Sequence, residues 1–147
     1  MACDVDKIEK IMLNLLSNAI KYSYKNTDIL VKIHYNSENN EIVVSVWDDG
    51  ISIDKKDVNK VFGKFVQLHK LINRPCEGSG VGLYLVKSFI ELHGGKVWIN
   101  FDIPKGTEID FSLPVKQIED KEIVNYSIST QRKVEICNVE FSDIYSL

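Results

Sequence analysis

Three glycines alternate in Glu77-Gly78-Ser79-Gly80-Val81-Gly82-Leu83. An amphipathic pattern begins at once, with Val81, Leu85, Phe89 and Leu92 on one face and Val86 and Ile90 beside them. No other stretch restricts the fold as much. Glycines here let the backbone approach a ligand closely, and unsatisfied N–H groups at a helix start favour an anion. The stretch reads as a phosphate cradle feeding a helix. It is not the dinucleotide-binding fingerprint, because the glycine spacing differs and no strand pattern leads into it. A flexible glycine turn before an ordinary helix has the same composition, so the rest of the chain must decide.

Upstream, Asp4 can cap a helix running to about Tyr22, with Val5, Ile8, Met12, Leu15, Leu16 and Ala19 at helical spacing. Ile29, Val31, Ile33 and Tyr35 alternate with polar residues, as do Ile42, Val44 and Val46. Asn36-Ser37-Glu38-Asn39-Asn40 lies between them as a turn. This predicts a hairpin with one face buried. Asp54 caps a short helix through about Val61, and 66–77 lacks periodicity and reads as a mobile loop. Gly94-Gly95 stops the glycine-led helix. Strands Lys96–Phe101 and Thr107–Leu113 follow, and Pro114 closes the regular part. Helices clustered against a mostly antiparallel sheet give an α+β fold, a two-layer α/β sandwich. The tail, 115–147, is more polar and has one alternating stretch, which fits an extra strand at 132–141 and a disordered tail equally.

Composition excludes several classes. A chain of 147 residues with 44% hydrophobic content suits one globular domain with a real core. A net charge of −3 argues against nucleic acid or an anionic membrane as the main partner. No apolar run approaches a membrane span, and Met1-Ala2-Cys3-Asp4 is no signal peptide. Cys3, Cys76 and Cys137 are isolated, which disfavours a zinc site or disulfide framework and fits a reducing, cytoplasmic compartment. None of His34, His69 and His93 stands in a general-base pattern.

Asn14, Asn18 and Lys21, spaced i, i+4, i+7, form one polar stripe on the first helix. Asparagine is a poor interior helix residue, so two within Leu13–Ile20 need a reason. An amide oxygen can ligate a hard cation such as magnesium, and an amide N–H can donate to phosphate. A solvated helix face is the plainer explanation. Asp48 ends a strand pattern before Asp49-Gly50, where a carboxylate can accept from an exocyclic amine such as adenine's. Ordinary Asp-Gly turn chemistry fits there equally. Lys64, between Phe62 and Phe65, could reach a phosphate or stand exposed.

Taken in order, these segments resemble the ATP-binding catalytic domain of sensor histidine kinases, in the superfamily shared with gyrase, the Hsp90 chaperones and MutL. Asn14-Leu15-Leu16-Ser17-Asn18-Ala19-Ile20-Lys21-Tyr22 resembles the N box, and Asp48-Asp49-Gly50-Ile51-Ser52-Ile53 the first glycine box. Val61-Phe62-Gly63-Lys64-Phe65 is similar to the F box, and Gly78 to Leu83 to the second glycine box. Ile90-Glu91-Leu92-His93-Gly94-Gly95 resembles the usual continuation, and Lys105-Gly106-Thr107 the third box. The likeness runs from Asp4 to Pro114, so 1–114 is expected to be the ATP-binding domain.

The resemblance implies roles. Asn14 would ligate the magnesium bridging the ATP phosphates, Asn18 and Lys21 would contact phosphates, and Tyr22 would lie near the nucleotide. Asp48 would bind the adenine amine, with Gly50 leaving room for the ring. Lys64 and Arg74 would reach the phosphates. Gly78, Gly80 and Gly82 would hinge a lid over 66–77 and cradle phosphate, and Ile53, Val81, Leu83 and Thr107 complete the implied nucleotide contacts. The implied function is to bind Mg2+ and ATP and donate the γ-phosphoryl group to a histidine on a separate dimerisation domain, with a response regulator downstream. No phosphoacceptor motif is present, so the chain is not expected to autophosphorylate alone. The family has a further strand before the first helix, which this chain is expected to lack as a piece of a longer kinase.

Two other functions compete. The hydrolytic relatives carry a glutamate four residues before the N-box asparagine, where Lys10 stands. A charged lysine cannot take a proton from water, so gyrase-type hydrolysis is not expected. A degenerate partner-binding module without nucleotide is suggested only by Ser52, where the family usually has glycine. Pro104 likewise replaces the first glycine of the third box.

Overall fold

The computed structural model describes residues 3–66 and 80–116. The candidate strand at 132–141, most of the loop expected at 66–77, Arg74 and Gly78 lie outside the described residues.

Helix α1 spans Val5–Tyr22; Asp4 caps it, Oδ1 accepting from the Lys7 N–H at 3.2 Å. The Lys7 ammonium also pairs with Asp4 and holds its carboxyl below the usual range. Ser23 ends the helix by turning extended while its N–H and Oγ both bond the Ala19 carbonyl, at 3.0 and 2.6 Å. Strands β1 (Ile29–Asn36) and β2 (Glu41–Asp48) form a hairpin. In its turn Asn36 Oδ1 accepts from the Glu38 N–H, and Asn40 takes φ 52°. A 3-10 turn at Lys55–Asp57, capped by Asp54, leads into α2 (Val58–Val61). Helix α3 is Gly82–Leu92, and β3 (Lys96–Asn100) and β4 (Thr107–Pro114) close the order.

The sheet order is β1-β2-β4-β3, with every pair antiparallel. Helix α1 packs on β2, α3 packs on β3 and β4, and the two helices touch each other. Between the layers lie Ile11, Leu15 and Ala19 of α1, Val86 and Ile90 of α3, and Val44, Val46, Ile109, Phe111 and Leu113 of the sheet. This is the expected two-layer sandwich. Among the described residues no helix is long and apolar enough to cross a membrane.

Three details differ from the sequence reading. The buried row of α3 is Val86 and Ile90, supported by Leu83 and Phe89, while Leu85 and Leu92 are 37% and 72% exposed. The helix turns its 83-86-90 row to the sheet and α1, so the wider apolar pattern overstates the packed face. In α1 Ile11 is fully buried alongside Leu15, and Val5 is exposed. The hairpin does not bury one face along its length: Val31, Ile33 and Tyr35 are 39%, 69% and 58% exposed. They stand opposite Val46, Val44 and Ile42, so they share the helix-side face of the sheet. However, β1 is the edge strand and the helices pack on its neighbours.

On the other face Ser45, Glu108, Asp110 and Ser112 are buried. Asp110 accepts from Ser45 and Trp98; burial nevertheless raises its pKa, and its Oδ1 has no partner among the described residues.

Candidate nucleotide-binding site

The C-terminal end of β2, the end of α1 and the start of β4 converge on one loop. Asp48 closes β2 opposite Thr107 of β4 and is 6% exposed. Its Oδ1 accepts from the Gly50 N–H at 2.9 Å, which leaves Oδ2 outside that bond. Desolvation pushes its pKa up to about 6, and the neighbouring Asp49 charge adds to the rise against the pull of the Gly50 N–H. A carboxylate kept in so costly a place, at a strand end, is a candidate for function.

Gly50 pairs with Ser23 in an isolated bridge, and the Ile51 N–H reaches the Tyr22 carbonyl at 3.3 Å. A Cβ on Gly50 would overlap that carbonyl and crowd Asp48 Oδ1. The space freed by glycine is therefore taken by the end of α1, which locks the N-box helix to the loop carrying Asp48. From the other side Gly106, at φ 81°, lies against the Asp48 carbonyl so closely that a Cβ would overlap it. Three contacts fasten this turn. The Trp47 indole N–H donates to the Lys105 carbonyl at 3.1 Å, Lys105 Nζ meets Asp49 Oδ2 at 2.6 Å, and Thr107 Oγ1 donates to the Ile51 carbonyl at 2.8 Å. Thr107 thus uses its hydroxyl on the loop. A small cavity of about 180 Å3 beside the loop is lined by Ser52, Ile53, Phe101 and Thr107, and not by Asn14, Asn18 or Asp48.

The second half of the site forms where α1 meets the start of α3. Asn14 Nδ2 donates to the Lys10 carbonyl at 2.8 Å, one turn back, and its Oδ1 faces the start of α3 with no hydrogen-bond donor among the described residues. A Cβ on Gly82, the first residue of α3, would stand 2.7 Å from that oxygen. Helix α3 starts at Val81 with no side-chain cap and no acidic residue in its first turn. Its first N–H groups are left for an anion next to the Asn14 oxygen. Asn18, one turn further along α1, is half-buried. Lys21 and Tyr22 lie at the helix end beside the Gly50 loop. Lys64 is exposed, its Nζ 4.7 Å from the centre of the Tyr84 ring. Gly80 and Val81 precede Gly82, and Leu83 packs onto the core. Among the described residues no group of His, Cys, Asp or Glu is placed to hold a metal, which leaves the amide oxygen of Asn14 as the candidate ligand.

The loop and the helix start both lie within the stretch that known proteins match. Residues 3–117 fit the family model described as "Histidine kinase-, DNA gyrase B-, and HSP90-like ATPase". The chain belongs to this ATPase family. Among curated relatives, the sensor histidine kinase WalK of Bacillus subtilis is 40% identical over 117 residues, covering 80% of this chain and 19% of the relative. The sensor protein kinase WalK of Staphylococcus aureus is 33% identical, over 80% of this chain and 28% of the relative. The chain therefore spans less than a third of these relatives. Among solved structures, the mycobacterial sensor histidine kinase MprB superposes with a TM-score of 0.69 at 28% identity, covering 76% of this chain and 74% of that one. Full-length ShkA in complex with AMPPNP gives a TM-score of 0.62 at 25% identity, over 74% of this chain and 21% of ShkA. Within the family, this chain is an ATP-binding domain of the sensor histidine kinase kind.

Sequence reasoning did not anticipate how the parts are fastened. The Asn14–Lys10 back-bond was open to view as an i, i−4 pair on a helix. The Lys105–Asp49 pair and the Trp47–Lys105 bond join residues 56 and 58 positions apart and carry no local signature. Tyr84, beneath Lys64, carries none either.

Proposed function

We propose that the domain binds Mg–ATP and hands its γ-phosphoryl group to a histidine on a separate dimerisation domain, as the phosphoryl-donating part of a cytoplasmic two-component signalling kinase. The observation that carries this reading is the meeting of the Asn14 oxygen with the uncapped start of α3 at Gly82. A fixed neutral acceptor beside open N–H groups suits a metal-bound polyphosphate. Asn14 Oδ1 would hold magnesium, which would neutralise charge on the phosphoryl group in transfer. Asn18 and Lys21 from α1 and Lys64 beside Tyr84 would contact phosphate oxygens. At the other end Asp48 Oδ2 would accept from the adenine amine, with Tyr22, Ile53 and Thr107 nearby, while Val81 and Leu83 at the start of α3 would face the nucleotide from the phosphate side.

In phosphoryl transfer the protein chiefly positions groups and stabilises charge. These residues would do both, with the acceptor on another domain. His93 is occupied at both nitrogens, Nδ1 on the Phe89 carbonyl at 2.6 Å and Nε2 on the Asp4 N–H at 3.1 Å. His34 lies in the edge strand β1. The domain alone is expected neither to label itself nor to turn ATP over, and adding an acceptor-helix domain should give a labelled product on that domain.

Calorimetry with Mg–AMPPNP tests the reading. The Asp48→Ala variant should lose about 1.5–3 kcal/mol of binding, tenfold or more in affinity, because a hydrogen bond to a charged acceptor disappears. Unchanged affinity with a native circular dichroism spectrum would remove the adenine role.

A further inference from the structure

The segments flanking 67–79 stand side by side. A Cβ on Gly80 would lie 2.9 Å from the Val66 carbonyl oxygen and 3.0 Å from the carbonyl carbon of Phe65. Backbone contact therefore fixes 65–66 against 80, and this neck carries Lys64 on one side and Tyr84 on the other. Lys64 Nζ stands 4.7 Å from the Tyr84 ring centre. The Tyr84 hydroxyl accepts from Lys64 and from Ser88, and these contacts draw its pKa below the ordinary value.

We infer that Tyr84 is a positioning residue for Lys64, its ring a platform that holds the ammonium within reach of a phosphate at the start of α3. This rests on the nucleotide-binding reading above and adds to it a residue that the family's sequence boxes do not assign. Tyr84 is the third residue of α3, and helical side chains lean toward the N-terminus, toward the N–H groups of the helix's first turn. A cation beside a helix N-terminus is unfavourable until an anion arrives, and the first turn of α3 supplies no acid. An exposed lysine would otherwise spread over many rotamers, and ordering it on phosphate binding costs that entropy. The electron-rich ring face and the hydroxyl oxygen hold the charge meanwhile.

The test is a double-mutant cycle on the 147-residue chain. Affinities for Mg–ATP are read by calorimetry and for adenosine by ligand-observed NMR, in wild type, Tyr84→Ala, Tyr84→Phe, Lys64→Ala and the Lys64→Ala/Tyr84→Ala pair. Tyr84→Ala should weaken Mg–ATP roughly three-fold, as expected for an exposed cation–ring contact, and leave adenosine unchanged. It should have no further effect once Lys64 is alanine. Tyr84→Phe, which keeps the ring, should stay within about two-fold of wild type. The inference is overturned if Tyr84→Ala leaves Mg–ATP unchanged, weakens adenosine equally, or acts just as strongly without Lys64. Wild-type protein that binds no Mg–ATP overturns the nucleotide reading, and this inference with it; a wild type that binds with additive mutations removes this inference alone.

Discussion

The two ends of the candidate site are built in opposite ways. The adenine end is a backbone construction. Asp48 and Thr107 are buried, Gly50 and Gly106 are pressed against carbonyl groups, and bonds from Trp47, Thr107 and Ile51 stitch three elements together. The phosphate end is a side-chain construction: one amide oxygen held by one bond, an uncapped helix start and an exposed lysine resting on a tyrosine. A flat, uncharged ring is recognised by shape, which rigid backbone provides. A polyphosphate is recognised by charge, which movable side chains provide without fixing its exact path. In the reading proposed above, the site would couple a fixed nucleoside anchor to an adaptable phosphate grip.

Paired glycine substitutions can break this comparison, and the largest effect is expected there. Gly106→Ala puts a methyl group into the Asp48 carbonyl at a position with φ 81°, where backbone on both sides must yield. It should cost about 3 kcal/mol or more, a melting drop of roughly 12 °C or more. Gly82→Ala meets only the Asn14 side-chain oxygen, and alanine suits a helix better by about 1 kcal/mol. Its melting temperature should barely move while its Mg–ATP affinity falls, because the displaced oxygen is the candidate metal ligand. Equal destabilisation by the two changes would show that both ends depend on rigid backbone.

Asp48→Asn sharpens the comparison at the adenine end. Burial raises the Asp48 pKa from 3.8 to about 6, so the folded state holds this proton to higher pH than the unfolded chain. Stability from this group is therefore lost as pH rises through 3.8 to about 6, and the penalty is complete above that window. About two pKa units correspond to at most roughly 3 kcal/mol. Asparagine can keep the oxygen that accepts from Gly50 but carries no charge. The nucleotide-free variant should be more stable than wild type at pH 7.5 and no more stable at pH 4, while binding nucleotide worse. Urea melts at the two values check this, and an equal difference at both would mean that the carboxylate is not desolvated.

This split also explains what could be read in advance. Hydrophobic periods and cap or turn signals yielded the long helices and the strands, as with Asp4 before α1 and Gly94-Gly95 after α3, while the short helix read from the Asp54 cap is a 3-10 turn followed by the four residues of α2. The boxes are local runs, and Asn14, Asp48, Gly50, Gly82 and Thr107 do come together at the two ends of the site. Exposure of β1 was not legible, because alternation of Val31, Ile33 and Tyr35 marks a face without saying whether a helix covers it. The outward Leu85 and Leu92 of α3 escaped for the same reason. The clasp of Lys105 on Asp49 joins distant parts of the chain, so no window along the sequence contains both.

That clasp carries the smallest prediction. Lys105 Nζ and Asp49 Oδ2 are 2.6 Å apart, with side chains 64% and 22% exposed. A pair so open to solvent contributes about 1 kcal/mol or less, and less in high salt. Lys105→Ala keeps the carbonyl that receives the Trp47 indole bond, and it leaves Gly106 in place. The turn should therefore hold and the melting temperature shift only slightly. What changes is the field at Asp48. The Asp49 charge already raises the Asp48 pKa, and removing its cationic partner leaves that charge uncompensated. Asp48 should then protonate at a higher pH, and protonation removes the charged acceptor offered to the adenine amine. Mg–ATP affinity measured at pH 6 and pH 8 should fall toward acid in both proteins, and more steeply in Lys105→Ala. An identical ratio in the two proteins would mean that Asp49 does not act on Asp48, and that the clasp only fastens the turn.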